Sequence, residues 1–175
     1  HIGRFNHQKN QSFLLEVFRS IGAKRKDAVL LLVGIGPDLD HIKSLVEIHP
    51  YKERIILYGE TTSPAAIYAA MDVFLFPSKA EGLGIVALEA QISGLPCLAS
   101  EAVPKDVVLG NQIDFLPIDS PDLWSERLAS IEVKTENRNA FYDRNRERIL
   151  KYDIAETVKQ LEKIYTDLYQ KIEDA

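Results

Sequence analysis

Short, continuously apolar runs alternate with segments of helical periodicity along this chain, and that alternation constrains the fold more tightly than any other feature. Val29 to Gly34 (VLLLVG), Arg54 to Tyr58 (RIILY) and Asp72 to Phe76 (DVFLF) are the strongest runs, with weaker ones at Leu95–Ser100 and Ile113–Ile118. A strand that is apolar at every position is buried on both faces, which requires helices on both sides of a parallel sheet. The helices are marked as clearly. Asn10 to Ile21 carries Phe13, Leu14, Val17, Phe18 and Ile21 at helical spacing. Pro37, Pro64 and Pro121 open the segments Asp38–Ile48, Ala65–Ala70 and Asp122–Ile131, with proline near the favoured first position. Lys134 to Asn139 (KTENRN) is polar throughout and reads as a linker to the Arg-rich segment Ala140–Leu150. Asp153-x-x-Glu156 forms a capping-box pattern before a stripe of Ile154, Val158, Leu161, Tyr165, Leu168 and Ile172, read as one long amphipathic helix docking on something. The expectation is an α/β fold, a doubly wound parallel sheet of Rossmann-like type, as a single domain over residues 1–175.

One stretch, Ser78 to Ser100 (SKAEGLGIVALEAQISGLPCLAS), carries the chemistry. Glu81 and Glu89 stand eight residues apart across a glycine-rich loop that opens a helix. Glu89 is the only charged residue between Gly82 and Ser100. A carboxylate among apolar neighbours is costly unless something hydrogen-bonds to it, and the adjacent sequence offers no cation. Its partner is therefore a distant residue or a ligand. The amides of Gly82, Leu83, Gly84 and Ile85 lie at the positive end of the helix, where a phosphate or sugar oxygen can be held.

In an open α/β sheet, ligands bind beyond the carboxyl ends of the strands. The loops Gly3–Lys9, Gly34–Pro37 and Ser78–Gly84, and the loop after Tyr58, all fall there. Gly34-Ile35-Gly36 lacks the third glycine and the acidic residue about 20 positions on that a dinucleotide fingerprint needs, which argues against a dehydrogenase. His1-Ile2-Gly3-Arg4-Phe5, without an initiator Met, reads as the tail of a central strand beside Val29–Gly34, and as the start of a piece of a longer protein.

Glu81-Gly-Leu-Gly-Ile-Val-Ala-Leu-Glu89, followed by Ser93-Gly94-Leu95-Pro96-Cys97, resembles the signature of the retaining nucleotide-sugar glycosyltransferases of GT-B class, family 4. Leu83 replaces the usual aromatic of that loop. Gly3-Arg4 to Lys9-Asn10 is similar to the family's GR-loop-KG element, with Asn10 where glycine is usual. The resemblance implies that the chain is the carboxyl-terminal, donor-binding half of a two-domain enzyme. Arg4 and Lys9 would hold the donor's diphosphate and stabilise it as it leaves, Glu81 would lie by the sugar, and Glu89 would accept hydrogen bonds from the ribose. Tyr58 and Gly59, with Glu60, would frame the nucleobase, and Ile67 or Tyr68 could pack nearby, Tyr68 reading equally well as core. The substrate implied is a UDP- or GDP-type sugar, with no cofactor and no metal. A glycan or lipid-linked acceptor would be bound by an amino-terminal domain, so that the piece alone transfers nothing. A cytoplasmic protein of cell-surface polysaccharide synthesis, with the full-length parent able to sit at the inner face of a membrane, fits that family. The alternatives are a non-catalytic nucleotide-sugar-binding subunit and a nucleotide-sugar epimerase of the same fold. All these residues are expected to face one cleft, with Glu89 largely buried.

Composition excludes little beyond this. A net charge of −5 and a pI near 5.4 supply no field for nucleic acid. The single cysteine, Cys97, sits in an apolar run and reads as a buried strand thiol. The four histidines show no metal-ligand spacing, and Asp38 and Asp40 alone make no site.

Overall fold

The computed structural model describes residues 1–132 and 138–173. Five parallel strands form two sheets. β1 (Leu30–Val33) pairs with β2 (Ile55–Gly59), and β3 (Phe74–Phe76), β4 (Cys97–Ser100) and β5 (Ile113–Leu116) pair in that order. Residues 1–3 run between the sheets. Ile2 bridges to Val33 in parallel, Gly3 donates to Val33 O at 2.9 Å, and the His1 ring contacts Leu75 O on β3. The expected central strand at the head of the chain is therefore present as a short bridge beside β1.

Helices α1 (Gln11–Lys24), α2 (Leu39–Glu47), α3 (Pro64–Ala70), α4 (Ile85–Ile92), α5 (Pro121–Ser130), α6 (Asn139–Leu150) and α7 (Ile154–Glu173) complete the order. Side chains alternate across β4. Leu98 joins Phe13 and Val17 of α1 and Trp124 of α5 on one face, while Cys97 and Ala99 join α3, α4 and α6 residues on the other. Both faces are covered, as uniformly apolar strands require. A third cluster packs Leu30, Leu32 and Ile55 against Leu14, Phe18 and Ile42. Burial pushes the Cys97 thiol up, consistent with an inert strand cysteine.

Several strand ends fall inside the expected limits, for identifiable reasons. Arg54 leaves β2 for a short 3-10 turn, because its guanidinium donates to Gly22 O, Arg25 O and Ala28 O at the end of α1. Pro96 and Pro117 have no N–H and delimit β4 and β5. α1 begins one residue late because Asn10 adopts φ 58°, ψ 43°, a left-handed conformation that asparagine tolerates better than most. The capping box at α7 half forms. Asp153 Oδ1 accepts from Ala155 N, but Glu156 pairs with Lys159. The Arg-rich face of α6 is solvated as expected, with Arg148 pinned to Leu109 O. Of the expected linker, residues 134–137 lie outside the described residues. The α7 stripe finds no cover among the described residues. Its six members are 43–76% exposed.

His49 is buried where α2 hands over to β2. Its Nε2–H donates to Leu15 O at 3.1 Å and its Nδ1 accepts from Tyr51 N–H, so the neutral ring is satisfied at both nitrogens. Burial lowers its pKa, and Arg19 and Arg54 add to the effect. Above about pH 6.5 the ring is neutral in both states. As pH falls below that, the unfolded chain takes up the proton first, so stability drops until the folded ring also titrates. Thermal melts from pH 8 to 5 should show this loss, and His49→Gln should lack that component. Equal pH slopes in the two proteins would count against it.

Candidate functional site

Two loops at the carboxyl ends of the strands are tied edge to edge. Gln8 Nε2 donates to Ala80 O at 2.6 Å, Lys79 N donates to Gln8 O at 2.8 Å, and Asn10 Nδ2 donates to Pro77 O at 3.3 Å. The left-handed turn at Asn10 lets the chain enter α1 directly after Lys9. The result is an ion pair. Lys9 Nζ lies 2.7 Å from Glu81 Oε1, with the side chains only 17% and 9% exposed. The ammonium also sits 4.8 Å from the centre of the Phe76 ring. With little water to screen it, such a pair couples more strongly than a surface one.

Gly84 precedes α4 at φ 87°, a region that suits glycine, with the Phe76 ring close beside its Cα. No side chain caps the first turn of α4. Gly82 and Ile85 are exposed there, while Leu83 packs onto the main core in place of the aromatic usual in the similar family.

Glu89 lies farther along α4 and is half-buried rather than largely buried. Its partner is neutral. Tyr68 Oη donates to Glu89 Oε2 at 2.8 Å and lies 3.3 Å from Val86 O. Burial, then the neighbouring carboxylate, raises the phenol's pKa above its ordinary value, so the proton stays on Tyr68. Tyr68 and Ile67 are core residues and do not line the cavity described next, in line with the core reading of Tyr68.

That cavity, of about 1010 Å³, opens between the start of the chain and the ends of β1 and β2. Its walls are Ile2, Gly3, Arg4, Val33 to Gly36, Tyr58 and Glu60 to Pro64. Arg4 is exposed and has no carboxylate within ion-pair distance among the described residues. Gly34 and Gly36 have a structural reason. A Cβ on either would collide with the carbonyl oxygen of Gly3 or of Phe5, so the glycines admit the incoming chain.

The expected residues thus fall into groups. Arg4 and Tyr58 share the cavity, Lys9 and Glu81 form a pair at the head of α4, and Glu89 sits deeper on that helix. Gly59, at φ 83° with open space around its Cα, lies between Tyr58 and Glu60 but is not on the wall. Sequence reasoning did not single out Thr61, Thr62 and Ser63, which line the cavity before Pro64. Among the described residues no group of three or more His, Cys, Asp or Glu is placed to hold a metal, and no helix is long and apolar enough to cross a membrane.

Residues 1–148 match the family described as "Glycosyl transferases group 1". The chain is 33% identical over 159 residues to the sulfoquinovosyl transferase SQD2 of Arabidopsis thaliana, covering 87% of this chain and 30% of that protein. It is 28% identical over 172 residues to an Escherichia coli enzyme named UDP-Gal:alpha-D-GlcNAc-diphosphoundecaprenol alpha-1,3-galactosyltransferase, covering 95% of this chain and 44% of that one. The chain therefore spans less than half the length of these curated relatives. Among solved structures it resembles Anabaena HepE in complex with UDP and glucose, with a TM-score of 0.79, 18% identity, and coverage of 95% of this chain and 47% of that one. It also resembles WaaG, titled a glycosyltransferase involved in lipopolysaccharide biosynthesis, with a TM-score of 0.70, 22% identity, and coverage of 87% and 42%.

If the Lys9–Glu81 pair is energetically coupled, a double-mutant cycle of Lys9→Met and Glu81→Gln in urea unfolding should show about 1–2 kcal/mol of interaction favouring the native pair. Additivity to within about 0.5 kcal/mol would mean that the contact contributes nothing.

Proposed function

The chain belongs to the glycosyl transferases group 1 family, and on that premise we propose that it is the donor-binding, carboxyl-terminal half of a GT-B enzyme of family 4. The reaction moves a hexose-type sugar from a nucleoside diphosphate, of UDP or GDP type, to the hydroxyl of a glycan or lipid-linked acceptor. The remainder of the protein supplies the acceptor site, and this half alone is inactive. The observation that supports the reading most is the juxtaposition of Lys9 with Glu81 at the uncapped start of α4, joined through residues 4–9 to the Arg4-lined cavity.

The chemistry follows from charge. The bond between the anomeric carbon and the β-phosphate oxygen breaks, the acceptor oxygen takes its place, and the acceptor's hydroxyl proton passes to the departing diphosphate. The diphosphate gains negative charge as it departs, which preorganised cations offset. Arg4 and Lys9 supply those cations, so the step proceeds without a metal. Glu81, held by Lys9, positions the sugar and opposes positive charge at its ring. The amides of Gly82 to Ile85 receive phosphate or sugar oxygens, Glu89 accepts from the ribose, and the cavity wall at Tyr58, with Gly59 beside it, takes the base. The sugar is transferred with retention of anomeric configuration. A role in cell-surface polysaccharide synthesis is supported by the likeness to WaaG, a glycosyltransferase involved in lipopolysaccharide biosynthesis. The whole protein then works in the cytoplasm, at the inner face of a membrane where its acceptor is lipid-linked.

Lys9→Ala should reduce kcat on the order of 100- to 1000-fold, the usual cost of losing a donor to developing charge. Glu89→Ala should mainly raise KM for the donor, because its contact is made in ground and transition states alike. Both are read from steady-state kinetics of the whole protein. Near-normal kcat in Lys9→Ala would put the diphosphate elsewhere, and an inverted anomer in the proton NMR spectrum of the product would reject retention.

A further inference from the structure

Glu89 carries an unusual burden for its position. It is the only charged residue of α4 and has no ion-pair partner among the described residues, yet it is half-buried. One of its oxygens, Oε2, is taken by Tyr68 Oη at 2.8 Å. The phenol is itself immobilised. Tyr68 is 2% exposed, with its ring edge-on to Phe74 at 5.7 Å between centres. The last carbonyls of its helix, Tyr68 O, Ala69 O and Met71 O, all accept from the Arg138 guanidinium, at 3.1, 3.2 and 2.6 Å. A line of fixed contacts thus runs from the start of α6 through the end of α3 to one carboxylate oxygen on α4.

We propose that Tyr68 is a positioning residue for recognition of the donor's ribose. By occupying Oε2 it fixes the Glu89 rotamer and leaves Oε1 as the acceptor for the vicinal hydroxyls of a ribonucleoside diphosphate. This rests on the reading of Glu89 as the ribose contact and adds the residue that makes that contact selective. A glutamate free to rotate would lose rotamer freedom on binding the diol, whereas one already held by a buried phenol has less to lose. Tyr68 suits the task because it keeps its proton and so offers a donor, never a second acceptor, to the carboxylate. Arg138 acts one step further back, by holding α3 in place.

The test is calorimetric binding to the whole protein of UDP and GDP, each beside its 2′,3′-dideoxy counterpart, with the ratio taken for the nucleotide that binds more tightly. The wild type should favour the ribonucleotide by about tenfold or more, the scale of a hydrogen bond to a charged group. Glu89→Gln should remove most of that preference. Tyr68→Phe, which keeps the buried ring, should reduce it several-fold and raise donor KM with kcat near wild type. The double variant should lose no more than Glu89→Gln alone. Discrimination that survives Glu89→Gln, or the absence of binding by either nucleotide, would overturn the ribose role of Glu89 and this inference with it. Loss of discrimination in Glu89→Gln with full discrimination in Tyr68→Phe would leave that role standing and overturn the inference alone. A lowered melting temperature in Tyr68→Phe with unchanged discrimination would mean that the phenol serves only the core.

Discussion

The backbone seam between residues 1–5 and the end of β1 is the constraint from which the rest of the molecule follows. Val33 N donates to His1 O, Gly3 N to Val33 O, Phe5 N to Ile35 O and Asp38 N to Phe5 O, all within 3.0 Å. That spacing leaves no room for side chains at residues 34 and 36, hence the two glycines. Because the segment lies between β1 and β3, it joins two sheets that share no ladder of their own. Because it ends in a loop above them, it delivers Arg4 to the cavity and Lys9 to Glu81. The same hydrogen bonds that complete the core therefore set the position of the cations.

The two glutamates show how a fold can keep carboxylates where water is scarce. Both need compensation, since an unpaired charge out of water is costly. Glu81, at the rim, receives a cation from another loop. Glu89, deeper on α4, receives a neutral phenol. These are different solutions with different consequences. An ion pair can exchange one partner for an incoming anion, so it suits a place where charge arrives and leaves. A phenol fixes direction without neutralising, so the carboxylate remains a full acceptor for neutral hydroxyls. The division agrees with separate tasks for the two residues and not with an acid–base couple.

Much of this was legible in the sequence, and what was not has identifiable causes. Apolar runs located the five strands found among the described residues, because most of their positions are apolar, although alternate residues of β2, Ile56 and Tyr58, are exposed. Their ends were less legible. Arg54 left its strand for carbonyls at the end of α1, among them Gly22 O, 32 positions back, which no local window contains. The Lys9–Glu81 pair could be expected as two members of one site, but their direct contact depends on the loop-to-loop bonds of Gln8 and Lys79. The core position of Tyr68 was one of two readings its sequence allowed, but helix spacing says nothing of where its hydroxyl ends, at Glu89. The hydroxyl run Thr61 to Ser63 was overlooked because polar residues before a proline look like any helix start.

Helices α1 and α7 mark the limit of what periodicity can tell. Each has an apolar stripe of comparable regularity. In α1 the stripe disappears, with Phe13, Leu14, Val17, Phe18 and Ile21 all buried under strands and under α5. In α7 the stripe runs 154, 158, 161, 165, 168 and 172, alternating steps of four and three, and stays exposed. Steps of four and three keep the apolar seam narrow, matched to a single neighbouring element rather than to a broad sheet. The difference lies in the shape of the seam more than in its hydrophobicity. A wide stripe such as that of α1 can settle on any twisted sheet face, and here it meets one. A narrow one needs a partner of its own dimensions, and α7 meets none among the described residues, even though β2 leaves Ile56 and Tyr58 exposed. Amphipathicity therefore fixes which side of a helix is apolar, while the width of that side decides which elements of the fold are able to cover it.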